Sequence, residues 1–305
     1  MAGSVKKERQ HHVWQHYLRS WAVGGRIFAL RDGEVHATGT RVVAVERDFY
    51  RLQDATREDF ALLHLLAVDK ASPDTKRMHE KFLNVTLGPL QFLESFRTKV
   101  KAADLPKLEV EIDTYKTNAL ENYHGVIERK FIPVLDLIKS KDLSFYSRGD
   151  ECAAFVAFIS AQYMRTKGIK VRSIDSIKEK SGKDLSRVWS LMSLMFAANI
   201  AVSLFSDRQT RKLVLLENKT GGLFITGDQP AINLLGTAPL PPESLSIFYP
   251  VSPVLAVILT EANQEPLFTS ETMTADDVSN LNRRIVDASH SQVFAQAESD
   301  LTPFK

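Results

Sequence analysis

The chain has a single cysteine, Cys152, so no disulfide forms within it. That suits a reducing compartment. Cys152 opens the apolar run Cys-Ala-Ala-Phe-Val-Ala-Phe-Ile and is expected as a buried small hydrophobe, not a nucleophile. The first ten residues are polar, with no apolar stretch behind them to make an export signal. No run approaches the roughly 18 apolar residues of a membrane span, and 152–164, the longest candidate, is too short. These absences predict a cytoplasmic protein without a membrane partner. Chemical motifs are missing too. There is no phosphate-cradling Walker loop, dinucleotide fingerprint, cysteine-based zinc pattern or Gly-x-Ser-x-Gly elbow. No repeat or low-complexity tract is present, and no linker forces a division. The 305 residues are therefore expected as a single domain.

What is present is a good core supply and an uneven charge. Hydrophobic residues make up 44% and charged residues 25%. Residues 213–305 hold 4 Lys and Arg against 11 Asp and Glu, a net of −7. Residues 165–212 hold 11 against 4, a net of +7. The basic stretch points to nucleic acid or another anionic ligand, or to a solvated lysine-rich face.

The periodicity predicts an α+β fold. Residues 1–56 read as a helix and a small sheet, 57–210 as helical, and 211–305 as mainly strands. Val13, Tyr17 and Trp21 stand four apart, which predicts a helix over 11–21 ended by Gly24-Gly25. Asp32-Gly33 between two strand-like runs predicts a hairpin, and 41–52 a third strand and turn. Helices are expected at 57–68, 73–100, 112–139, 149–166 and 185–205. Gly88-Pro89 and Pro133 are expected to break or kink the second and third. Segment 167–184 is expected as a basic loop with a short helix. Runs 212–217 and 223–226 read as a hairpin, 236–244 as a surface loop, and 248–251 and 255–260 as strands. Thr274 to Ala288 reads as a capped helix before a last strand at 292–295.

Three polar constellations carry candidate chemistry. On a helix, His12 and His16 share a face with Arg19, as metal ligands, as acid–base groups or as helix-capping histidines. Gln162 and Arg165 share a face at the end of the apolar helix. There Arg165 grips a phosphate or carboxylate, or pairs with Glu121 or Glu128. Asp228, at a strand end before Pro230, binds a divalent metal, orients a base or closes an Asx-turn.

The order of these motifs resembles a known family. His11-His12-x-x-x-x-Tyr17-Leu18-Arg19-x-Trp21, Asp48-Phe49-Tyr50, Gln162-x-x-Arg165, Phe224-Ile-Thr-Gly-Asp-Gln-Pro230 and Phe248-Tyr-Pro-Val-Ser-Pro253 fall in sequence, followed by Leu281-Asn-Arg-Arg and Gln292-Val-Phe. This pattern is similar to the bacterial family catalogued as domain of unknown function 4238, from His11 to about Phe294. Trp14-Gln15 stand where that family often has Val-Pro, and Gly227 where it often has Ser. The resemblance implies a fold and no activity. It also implies that the three polar segments meet in one cleft.

The leading expectation is a metal-dependent hydrolase or nuclease acting on a phosphodiester. His12 or His16 serves as base, Arg165 stabilises phosphate charge and Asp228 completes the catalytic set. His12, Glu121 and Asp228 hold Mg²⁺ or Mn²⁺, while Gln162, Lys167, Lys170 and Arg172 bind substrate. The competing expectation is a non-catalytic binding or regulatory module, in bacterial stress or phage defence, with the same residues as a buried structural network.

Overall fold

The computed structural model describes residues 5–236, 244–263 and 267–305. The loop expected at 236–244 therefore lies outside the described residues, except for its two ends. The fold is α+β, with a helical middle between an N-terminal sheet region and C-terminal strands. The chain begins with β1 (Arg9–His11), α1 (Gln15–Leu18) and a 3₁₀ turn at Arg19–Trp21. The hairpin of β2 (Arg26–Arg31) and β3 (Glu34–Gly39) and the short β4 (Val45–Arg47) follow. Asp32 and Gly33 turn the hairpin with φ of 53° and 80°, the left-handed pair a two-residue turn requires.

The helical middle comprises α2 (Arg57–Leu63), continued by a π turn at His64–Val68, then α3 (Pro73–Glu94) and α4 (Leu105–Lys139). It closes with α5 (Gly149–Met164), α6 (Lys167–Ser181) and α7 (Trp189–Ser206). Two of these helices start on side-chain caps. Thr56 and Asp59 form a capping box on α2, and Ser72 accepts from the Thr75 amide on α3. α3 and α4 run through Pro89 and Pro133 without ending there. α7 has no charged residue over 18 positions, long and apolar enough by composition to cross a membrane. Half of it is buried here, against α5 and the other helices of the middle region.

The C-terminal part adds β5 (Arg211–Glu217), β6 (Thr226–Gly227), β7 (Ile232–Asn233), β8 (Ile247–Ser252), β9 (Leu255–Glu261), α8 (Ala275–Ala288) and β10 (Val293–Ala295). One sheet has the order β5-β9-β8-β7. The other, β3-β2-β10-β6, is made from both ends of the chain. Phe294 faces Ala29 and Thr226 in its register. Sequence-distant segments thus share one core, in which Tyr17, Trp21, Phe131, Phe158, Tyr249 and Phe294 are fully buried.

Three expectations about local structure are corrected. Residues 9–11 form a strand, paired Arg9 to Arg47, so the helix over 11–21 shrinks to Gln15–Leu18 plus a 3₁₀ turn. The reason is tertiary. The Gln10 side chain donates to the Thr117 carbonyl at 2.7 Å and accepts from the Tyr50 amide at 2.6 Å, holding the strand extended against α4. Segment 167–184 is largely helix α6, stopped by Gly182 at φ 69°. Strand 211–217 does not pair with 223–226. It pairs with β9, Leu213 opposite Leu259, because the Phe224 amide donates to the Pro253 carbonyl and its carbonyl accepts from Trp21 Nε1.

β6 lies close against the turn after α8. A Cβ on Gly227 falls 2.0 Å from Ser289 Oγ and 3.2 Å from the Gln292 carbonyl. Gly227→Ala is expected to lower stability by about 1–3 kcal/mol through overpacking. Ser289→Ala in the same chain removes the nearest obstacle and restores a large part of the loss. Denaturant midpoints of the two variants check this, and an unaltered midpoint in Gly227→Ala contradicts the packing.

Candidate functional site

The N-terminal segment lies along the face of α4. Lys7 donates its amide to Asn118 Oδ1 at 2.8 Å, and the Leu52 amide donates to the Lys116 carbonyl at 2.9 Å. Beyond these contacts the two elements part around a cleft of about 390 Å³. One wall carries His11, Gln15, His16 and Arg19. The other carries Glu121, Glu128 and Arg129, with Gly125 between them. Glu121 and Glu128 are seven residues apart, two helical turns, and so share a face. Gly125 lies on the same face, beside the Arg129 guanidinium.

Behind this wall sits Arg165, the C-cap of α5 and only 3% exposed. Its Nη1 donates to Glu128 Oε1 at 2.8 Å. Among the two partners the sequence offered, Glu128 is the one engaged. Glu121 is half-buried and makes no such pair, so burial raises its carboxyl to about 7 against the pull of Arg165. The imidazoles move the other way. Burial, then the Arg165 charge, lowers His11, and burial, then Lys139 and Arg19, lowers His16. Near neutrality the cleft thus offers a carboxyl that exchanges its proton and imidazoles biased to the neutral form.

The three sequence motifs meet through one hydrogen-bonded chain. The Asp228 carboxylate, 1% exposed, accepts from the amides of His290 (2.6 Å), Ser291 (2.8 Å) and Gln292 (3.0 Å), and from Ser291 Oγ at 3.0 Å. Gln292 Oε1 accepts from the Ala44 amide at 3.2 Å. The Ala44 carbonyl accepts from the His12 amide at 3.0 Å, and the His12 carbonyl accepts from Gln162 Nε2 at 3.1 Å. The segments are linked largely through backbone groups, and Gln162, Arg165 and Asp228 do not line the cleft.

This geometry corrects the proposed roles. His12 is in the bend after β1, not on a helix with His16, and lies against Phe49 with ring centroids 5.3 Å apart. Burial, then Arg165, lowers it to about 3, so it is neutral throughout the physiological range. Asp228 forms no Asx-turn and has its oxygens occupied by the 290–292 turn. Among the described residues no three His, Cys, Asp or Glu side chains group as a metal site, so His12, Glu121 and Asp228 do not form the expected ligand set. The proposed substrate-binding residues also disperse. Gln162 is buried on His12, Lys167 pairs with Glu46, Lys170 Nζ sits 4.8 Å from the Phe49 ring centre, and Arg172 folds over Gly168. His16, by contrast, does line the cleft. His11, Glu128 and Arg129 were not selected from the sequence as site residues. A glycine within a long helix, flanked at 121 and 128 by glutamates on one face, was the available signal.

The departures from the family pattern have physical explanations. Trp14 has φ −57° and ψ 122°, and Gln15 is the first helical residue, so a proline at 15 fits the same entry. A side chain at 227 meets Ser289, which accounts for Gly there.

Asp228→Ala removes the acceptor of three part-buried amides and of Ser291 Oγ and is expected to cost about 1–3 kcal/mol. Melting with Mg²⁺ or with EDTA is expected to show the same loss. A metal-dependent stabilisation that disappears in this variant contradicts the structural role.

No curated protein and no solved structure matches the chain. The family described as "Protein of unknown function (DUF4238)" matches residues 9–299, nearly the whole length. The chain, with its N-terminal strand, its Gln162-x-x-Arg165 helix end and its Asp228 turn anchor, belongs to that family.

Proposed function

We propose that the protein is a hydrolase that cleaves a phosphodiester by side-chain acid–base catalysis in the cleft between the N-terminal segment and α4. The observation that carries this reading is the Glu121 carboxyl, unpaired, half-buried and raised to about 7. A carboxyl at that value donates a proton to a leaving oxygen at neutral pH. His16, on the opposite wall and lowered below its ordinary value, is the neutral base that takes a proton from water. Water attacks phosphorus, the bond to the leaving oxygen breaks, and Glu121 protonates that oxygen. Arg19 and Arg129 line the same cleft and supply positive charge for the phosphoryl oxygens. No step needs a metal.

A second reading, a binding module, is favoured by the internal chain from Asp228 to Gln162, which gives those motifs a structural use. In that case the cleft takes an anion without turning it over.

The pH profile separates the two. Activity on bis(p-nitrophenyl) phosphate is expected to fall with an alkaline limb near pH 7 as Glu121 loses its proton. Glu121→Gln is expected to remove that limb and lower kcat by about 10²–10⁴. Unchanged turnover in Glu121→Gln contradicts the assignment.

Stability provides an independent check. The Glu121 carboxyl is raised from 4.5 to about 7, so between those values the folded chain holds more protons than the unfolded one. The contribution is complete below pH 4.5 and is lost as pH rises to about 7. Denaturant midpoints of the wild type and Glu121→Gln are expected to converge at low pH and to separate across this window, the wild type falling.

A further inference from the structure

The guanidinium of Arg165 has one side engaged and one side open. Nη1 holds Glu128, while Nε and Nη2 have no partner and no solvent contact. Nε and Nη2 form the edge of a guanidinium that grips an oxyanion through two parallel N–H bonds. Buried donors are almost always paired, and two on one buried cation are costly to leave empty. The neighbouring groups are also short of partners. His11 Nε2 and both ring nitrogens of His124 are buried without one. Tyr50 ties these residues together, donating to the His11 carbonyl at 3.2 Å and lying 4.3 Å from the His124 ring centre. After burial, the Arg165 charge is the next influence on His11, His124, Tyr50 and Glu121.

The unpartnered edge belongs to a guanidinium that sits behind the cleft wall, since its ion-pair partner Glu128 lines the cleft while Arg165 itself does not. We propose that the Nε and Nη2 edge of Arg165 is the seat of a phosphate group, either free phosphate or the terminal phosphate of a cleft substrate. A carboxylate satisfies the edge alone. A phosphate has further oxygens for the unpartnered imidazoles. Glu128 sits on the same guanidinium and is the negative charge nearest the seat, so it weakens anion binding. Bound phosphate at Arg165 positions the next phosphodiester of a chain against Glu121 and His16. The proposal rests on the phosphodiester reading of the cleft.

Isothermal titration of the full chain with inorganic phosphate tests it. Wild type is expected to bind one phosphate, with acetate weaker. Arg165→Lys keeps the charge and loses the two-pronged edge, and is expected to weaken binding by about 10–100-fold. Glu128→Gln keeps the shape and removes the competing charge, and is expected to tighten binding several-fold. If either variant does not fold, the wild type decides by binding phosphate more tightly than acetate, and the variant that melts as a folded chain is read beside it. Two oligonucleotides that differ only in a terminal phosphate distinguish the sources. Preference for the phosphorylated one identifies a substrate end, and equal affinity identifies free phosphate. Absence of phosphate binding, acetate binding as tightly, or affinity unaltered in Glu128→Gln overturns the proposal. Those results leave the cleavage reading standing as long as bis(p-nitrophenyl) phosphate turnover depends on Glu121. Loss of that dependence removes the parent reading, whatever phosphate does.

Discussion

A guanidinium taken out of water needs compensation, and the core of this protein is arranged around one. Arg165 is 3% exposed and meets a single carboxylate, Glu128. Its charge is felt by both histidines at the start of the chain, by Tyr50, by His124 and by Glu121. Removing one partner of such a pair leaves a buried charge unmatched, a loss of about 3–5 kcal/mol. The pair therefore fixes the end of α5 to the middle of α4. It also sets the electrostatics of the cleft in front of it. Burial, then positive charge, lowers the imidazoles, and burial raises Glu121 to about 7.

The rest of the scaffold serves to hold the N-terminal segment over that pair. The segment is short and has little helix of its own. It is held by Gln10 on α4, by His12 on Gln162, and by Trp21 and Tyr17 on the Phe224–Thr226 stretch. Asp228 anchors the far side by gathering three consecutive amides of the 290–292 turn. The two ends of the chain share one sheet, so the cleft wall depends on contacts spread over more than 200 residues. This organisation separates labour. Gln162, Arg165 and Asp228 hold the scaffold, while His11, His16 and Arg19 line the cleft with Glu121, Glu128 and Arg129.

That separation explains what was legible in the sequence. Local signals read well. Asp32-Gly33 marked its hairpin, the Thr274 and Asp277 box marked α8, and the apolar run after Gly149 marked the buried α5. That His12, Gln162 and Asp228 are linked was implied by the family resemblance, although Gln162 and Asp228 do not line the cleft. Their jobs were not, because each is decided by partners far away in the chain. A four-residue spacing of His12 and His16 implied a shared helix face, and Gln10 overrides it by pinning β1 extended. Asp228 at a strand end resembled a metal ligand until the 290–292 amides were seen to occupy it. Glu121 was expected as a metal ligand or as a partner of Arg165, and its raised proton affinity was not legible because it comes from burial.

Burial, opposed by Arg165 and aided by Glu128, raises the Glu121 carboxyl in the cleft to about 7. Titrating the side-chain carboxyl carbons of a chain labelled with ¹³C at glutamate tests it directly by NMR. The account predicts one glutamate titrating at about 7, raised by burial, whose signal is missing from Glu121→Gln. A spectrum in which every glutamate titrates in the ordinary carboxylate range contradicts it.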